Sequence, residues 1–273
     1  MTPGNGGLMD RYNDFPSHYI LPRHVEVWLP PGYEPEAERC YPVLYMHDGQ
    51  NCFRGVDASF GVAWEVQHAL ERLVIAGEAE PAIIVGIWSI APLRYVEYCP
   101  ARPFLYLSST ARRRMTDGFG GEIISDDYLR FIVMELKPFI DATYRTRPGR
   151  EDTSLMGSSM GGLISLYGLC EYPEVFGGAA CVSTHWPAVE GVIVPYLRDY
   201  LPDPATHRIY FDFGTDTLDA LYRPAQRLVD EVMTAAGYEP GVNGITREFP
   251  GARHFEADWA HRVHIPLRFI LDQ

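Results

Sequence analysis

Gly157-Ser158-Ser159-Met160-Gly161 centres a serine in a G-x-S-x-G pentapeptide, with an apolar run entering it and a helical pattern leaving it. In that strand–turn–helix setting the hydroxyl is lifted clear of the backbone, where it can serve as a nucleophile. The turn is so tight that its flanking residues must lack side chains, which Gly157 and Gly161 satisfy, and Gly162 lets the next helix pack closely. A serine hydroxyl attacks poorly near neutral pH unless an imidazole takes its proton and a carboxylate fixes that imidazole. Both follow in the order acid, then histidine. His254 lies in the loop after the strand-like Ile245–Phe249. Asp216 and Asp219 share the loop after Arg208–Gly214. Asp219 stands just ahead of the next helix and is the first choice for the acid, while Asp216 could instead cap the turn through its side chain.

Acyl transfer also needs donors for a developing oxyanion, supplied in this kind of site by the amide after the nucleophile and one from the loop after the third strand. Here those are Met160 and a residue of Asp48-Gly49-Gln50-Asn51, with Gln50 expected and His47 orienting the loop. Thr184-His185-Trp186-Pro187 follows the strand at 177–183 and so lies near the pocket, where Trp186 either stacks on bound substrate or is buried in the core. His254, His261 and His264 are close in sequence, but no cysteine pair or His-Glu motif completes a zinc set, and no metal or cofactor is expected.

The elements that must position these groups alternate. Residues 23–29, 42–46, 82–88, 153–158, 177–183, 208–214 and 245–249 read as strands, with 82–88 a continuous apolar run of the type buried in a parallel sheet. Helical spacing appears over residues 63–75, and again from Ser125, the expected cap, through Leu129, Ile132, Val133 and Leu136. The alternation implies an α/β fold with a mostly parallel sheet, helices on both faces, and chemistry beyond the carboxyl ends of the strands. Residues 89–121 break the rhythm with three prolines and several aromatic residues, and are expected to form a long loop walling the site. Arg94 and Glu97 within it read as a structural ion pair, and Arg112-Arg113-Arg114 as a solvated cluster.

Segments along most of the chain resemble the esterase branch of the α/β-hydrolase superfamily, which includes feruloyl and acetylxylan esterases, siderophore esterases, S-formylglutathione hydrolase and mycolyltransferases. They are Val25–Tyr33, Tyr45–Asn51, Arg94–Pro100, Gly157–Gly162, and His254-Phe-Glu256 with Trp259. The resemblance implies the α/β-hydrolase fold and a serine carboxylic-ester hydrolase working through an acyl-enzyme on Ser159, His254 and Asp219. It leaves the acyl and alcohol groups open. An acyltransferase on the same residues and a non-catalytic binding protein of the same fold are the alternatives.

Composition fits these expectations. A chain of 273 residues that is 47% hydrophobic can form a single α/β domain over 1–273. A net charge of −13 disfavours nucleic acid and anionic membranes as partners, leaving a small-molecule or sugar ester. Five cysteines suit a reducing compartment better than a disulfide framework. Residues 1–7 carry neither a basic nor an apolar signal region, so a cytoplasmic location is expected. Oligomeric state is not legible.

Overall fold

The computed structural model describes residues 7–189 and 191–272. The first six residues, on which the reading of a targeting signal mainly rested, lie outside that range. Eight strands, β1 (Leu8–Phe15), β2 (Arg23–Leu29), β3 (Val43–His47), β4 (Ile83–Ile87), β5 (Thr153–Ser158), β6 (Gly178–Val182), β7 (Arg208–Gly214) and β8 (Gly244–Phe249), form one sheet in the order β1-β2-β4-β3-β5-β6-β7-β8. β1 and β2 pair antiparallel, as do β2 and β4. From β4 to β8 every neighbour is parallel. Strands expected from the sequence match to within a residue at each end. β1 was not expected: Leu-Met-Asp-Arg-Tyr-Asn-Asp-Phe is mostly exposed at the sheet edge, so it lacks the apolar run that marks the interior strands.

Period-two alternation divides the side chains of each strand between two cores. Val43, Tyr45, Val85, Leu155, Cys181 and Phe211 point to one face. Leu44, Met46, Ile84, Met156, Val182 and Tyr210 point to the other. Because both faces are covered, the interior strands carry no polar face, which is why they read as continuous apolar segments. α1 (Val66–Ala76) covers the second face, through Val66, Leu70 and Leu73. α2 (Arg94–Tyr98) and α3 (Ser109–Phe119) follow β4. α4 (Ser125–Arg130) runs through a π-helical stretch, Phe131–Leu136, into α5 (Lys137–Thr143). α2, α4 and α5, with α6 (Met160–Glu171), α7 (Ile193–Tyr200) and α8 (Arg223–Ala235), cover the first face through residues such as Tyr98, Leu129, Ile140, Leu163, Ile193 and Val229. α9 (Glu256–Arg262) and α10 (His264–Leu271) return to the second, through Trp259, Leu267 and Ile270. α6 is buried on all sides from Met160 to Cys170, so the helix that follows Ser159 is locked into the core.

Three expectations need correction. Residues 89–121 do not form a loop but fold into α2, a 3₁₀ turn at Arg102–Tyr106, and α3, with Val96, Tyr98 and Phe104 buried. Ser125 is the first residue of α4 rather than its cap, because its hydroxyl accepts the Ala101 amide at 3.1 Å. Arg94 and Glu97 do not pair with each other. Glu97 faces inward and takes both arms of the buried Arg23 guanidinium at 2.9 and 2.6 Å. Arg94 clamps Asp48 at 2.8 and 2.7 Å, tying α2 to the loop after β3. The five cysteines are unpaired, four of them buried. Among the described residues no helix is long and apolar enough to cross a membrane.

Candidate active site

Ser159 follows β5 with φ 59° and ψ −121°, a region that disfavours any residue with a side chain. Its conformation is held by four backbone hydrogen bonds. The Ser159 amide donates to Val182 O at 2.9 Å, and its carbonyl accepts Gly162, Leu163 and His185 amides at 3.0, 3.3 and 3.1 Å. A Cβ at Gly157 would come within 2.8 Å of the Gly161 backbone, so the turn can close only with glycine there.

Asp219 sits in a 3₁₀ turn, Thr217–Leu221, after β7. His254 sits after β8, its amide donating to Thr217 Oγ1 at 2.8 Å. The two loops touch at Gly214, where a Cβ would lie 2.0 Å from Ala252 O. The three side chains meet. His254 Nε2 is 3.0 Å from Ser159 Oγ, and His254 Nδ1 is 2.6 Å from Asp219 Oδ1. A carboxylate can only accept, so Nδ1 carries the ring proton and Nε2 offers its lone pair to the serine hydroxyl. Trp259 and Tyr222 clamp the imidazole edge-on, with ring centroids at 4.9 and 5.7 Å. Asp216 is turned away: its carboxylate accepts the Thr217 amide at 2.7 Å and caps the turn.

Behind Asp219 lies a buried polar chain. Its Oδ2 accepts Ser183 Oγ and the Gly214 amide, each at 2.6 Å. Ser183 Oγ in turn accepts Trp259 Nε1 and Arg262 Nη2, each at 2.9 Å, and Arg262 also reaches Asp212 at 3.0 Å. Burial pushes the Asp219 carboxyl up, but hydrogen bonds from His254, Ser183 and Gly214 outweigh it and hold the group below its ordinary range. Asp212 therefore serves Arg262 and Tyr210, not His254.

Met160 is the first residue of α6, and Gln50 lies in the short turn Gly49–Asn51 after β3. First-turn amides have no acceptor within their own helix, which leaves them for an anion. The Gln50 side chain is engaged with Ser89, through Nε2 at 2.8 Å and Oε1 at 3.1 Å. Asp48, in a left-handed conformation, starts the turn, and the Arg94 clamp overcomes burial to keep its carboxyl below its ordinary range. His47 binds Tyr128 OH at 2.8 Å, and burial takes its imidazole down to about 3, so it is a neutral strut.

Ser159 and His254 open onto a cavity of about 590 Å³, lined also by Gln50, Phe60, Tyr95, His185, Leu218 and Glu256. The expected Trp186 is not among its walls. It is 1% exposed, packs on Phe211, and donates from Nε1 to Gln226 at 3.1 Å. The residue before it, His185, faces the cavity instead. Sequence reasoning located this loop but not which of its side chains turns outward. His185 and Tyr222 had no motif to single them out, and Glu256, although part of the matching segment His254-Phe-Glu256, was given no role.

Known proteins resemble this chain in sequence and fold to different extents. The family described as "Putative esterase" matches residues 21–265. The Bacillus subtilis (strain 168) protein YbbA is 26% identical over 197 residues, covering 71% of this chain and 68% of its own length. A solved structure of a ferulic acid esterase superposes with a TM-score of 0.72 at 20% identity, covering 98% of this chain and 99% of its own. The Enterobactin and Salmochelin Hydrolase IroE gives 0.64 at 17%, covering 98% and 95%. These structures share the α/β-hydrolase fold of the sheet described above. With nearly the whole chain matched, the protein belongs to the "Putative esterase" family and is a carboxylic-ester hydrolase.

Proposed function

We propose that Ser159, His254 and Asp219 form a catalytic triad that cleaves carboxylic esters through an acyl-enzyme. The observation that carries this reading is the unbroken hydrogen-bond chain Ser159 Oγ–His254 Nε2 (3.0 Å) and His254 Nδ1–Asp219 Oδ1 (2.6 Å). The Ser159 oxygen attacks the acyl carbon while its proton passes to His254 Nε2, and Asp219 stabilises the imidazolium without taking the proton. The amides of Met160 and Gln50 hold the oxyanion of the tetrahedral intermediate, an interaction whose loss typically costs about 10²–10³ in turnover. His254 then protonates the departing alcohol oxygen as the bond to the acyl carbon breaks. Water, deprotonated by the same nitrogen, attacks the acyl-serine, and collapse of the second intermediate returns the proton to Ser159 and frees the acid.

The cavity suits a small-molecule or sugar ester, since Phe60, Tyr95 and Leu218 offer apolar walls and Asn51, Ser89 and Arg94 polar ones. In this reading residues 1–273 act as one domain, and the unpaired thiols favour a reducing cytoplasm. The test is hydrolysis of p-nitrophenyl acetate by purified wild type and Ser159→Ala. Turnover in the variant is expected to fall by roughly 10⁴ or more, by analogy with triad knockouts. Retention of full activity would overturn the assignment.

A further inference from the structure

His185 is poised to do more than fill the wall of the cavity. Its amide donates to the Ser159 carbonyl at 3.1 Å, which ties its backbone to the nucleophile turn. Its Nδ1 lies 2.8 Å from the hydroxyl of Tyr222, which is fully buried. The direction of that hydrogen bond follows from the neighbours. Two nitrogens lie within 3.5 Å of the Tyr222 hydroxyl, His185 Nδ1 and, at 3.5 Å, His254 Nδ1. The second already carries a proton, donated to Asp219 at 2.6 Å, so it cannot accept another. The Ser159 hydroxyl is a further neighbour of Tyr222, but its own contact is with His254 Nε2 at 3.0 Å. The short 2.8 Å contact therefore assigns the Tyr222 proton to His185 Nδ1.

An imidazole that accepts at Nδ1 must, when neutral, bear its proton on Nε2. Burial, reinforced by the nearby Arg94 charge, takes His185 down to about 4, so the ring is neutral at physiological pH. Burial also raises the Tyr222 phenol, which keeps its proton. Nε2 has no hydrogen-bond partner among the described residues, and the ring lines the cavity beside Ser159 and His254. A neutral donor beside a nucleophile suits an uncharged acceptor and does not compete with His254 for protons.

We infer that His185, locked by Tyr222 with its proton on Nε2, is a specificity-determining residue that donates a hydrogen bond to an ether, hydroxyl or carbonyl oxygen carried by the ester near its scissile bond. The preferred substrates are then esters oxygenated on the acyl or the alcohol side, over their plain aliphatic counterparts. This rests on the hydrolase reading above, and it adds a substrate class to the same site.

The experiment uses the full chain and two matched ester pairs. p-Nitrophenyl methoxyacetate against the acetate probes the acyl side. 2-Hydroxyethyl acetate against ethyl acetate probes the alcohol side. For each pair the ratio of kcat/KM, oxygenated over plain, is compared between wild type, His185→Leu, His185→Gln and Tyr222→Phe. Loss of one neutral hydrogen bond is worth about a three- to tenfold change. The ratio is expected to fall by that much in His185→Leu for one of the two pairs, which identifies the side. His185→Gln, whose amide restores a donor near Nε2, is expected to recover most of it, and Tyr222→Phe, which frees the tautomer, to fall between. Ratios unchanged across all variants for both pairs would overturn the inference, as would a glutamine variant no better than leucine. Should His185→Leu not fold, a ratio in Tyr222→Phe unchanged for both pairs overturns it equally. Fluorophosphonate labelling of Ser159 in the same preparations separates the two levels. An unlabelled wild type defeats the hydrolase reading, whereas a labelled enzyme with invariant ratios defeats only the role of His185.

Discussion

Ser183→Ala should weaken both the fold and the chemistry, although Ser183 does not line the cavity. Its oxygen accepts from Trp259 Nε1 and Arg262 Nη2, each at 2.9 Å, so its single proton is directed at Asp219 Oδ2, 2.6 Å away. Alanine removes all three contacts. Arg262 keeps Asp212 at 3.0 Å, and Asp219 keeps the Gly214 amide at 2.6 Å. The Trp259 indole N–H, on a side chain 4% exposed, loses its acceptor, a cost of about 1–3 kcal/mol. The lost hydrogen bond to an ionised carboxylate is worth a further 1.5–3 kcal/mol or so. These share a network and will not add fully, so about 3 kcal/mol is expected. At roughly 2–4 °C per kcal/mol for a chain near this size, the midpoint of thermal unfolding should drop by about 6–12 °C. Turnover should fall by about tenfold, the equivalent of one hydrogen bond lost in orienting Asp219, with KM little changed. Differential scanning calorimetry and steady-state hydrolysis of p-nitrophenyl acetate read the two effects. A variant that melts and turns over like wild type would show that the chain behind Asp219 contributes nothing, and the reasoning would fail.

Four other substitutions test separate parts of the structure. Asp219→Asn should lower kcat by roughly 10⁴, because Nδ1 of His254 loses the acceptor that fixes its tautomer, whereas Asp216→Asn, altering a turn cap, should change kcat by less than about threefold; equal losses would contradict the geometry. Glu256 lines the cavity, and burial raises its carboxyl, with the negative charge of Asp48 adding to the effect. The folded state therefore binds this proton more tightly than the unfolded chain, and stability falls as pH rises from the ordinary glutamate value of 4.5 through the raised one. Glu256→Gln should melt higher than wild type at pH 7, with the two curves converging below that ordinary value; a gap that widens on acidification would refute the sign. Arg23→Met leaves the fully buried Glu97 carboxylate without its cation, at a cost of about 3–5 kcal/mol, which thermal melts should register as a loss on the order of 10 °C.

The parallel strands were legible because both their faces are buried, so Ile83–Ile87 stands out as an uninterrupted apolar run and Thr153–Ser158 as a segment without a charged residue. The turn at Ser159 was legible because its geometry demands glycine at 157. What the residues could not show was partner choice across space. Arg94 and Glu97 are one helical turn apart and look like a pair, yet each is drawn to a buried opposite charge on another element, Asp48 and Arg23. Trp186 and His185 are adjacent, and only the way the loop leaves β6 decides that the indole enters the core and the imidazole the cavity. Ser183 is invisible for the same reason: its importance lies in three partners, at 219, 259 and 262, that no local pattern links to it.

The most direct measurement is covalent capture of the nucleophile. Wild-type protein incubated with a fluorophosphonate at neutral pH, then digested and mapped by mass spectrometry, should carry one adduct, on Ser159. His254→Ala should label far more slowly, since nothing then takes the hydroxyl proton. An unmodified wild type, an adduct on another residue, or equal labelling without His254 would contradict the account.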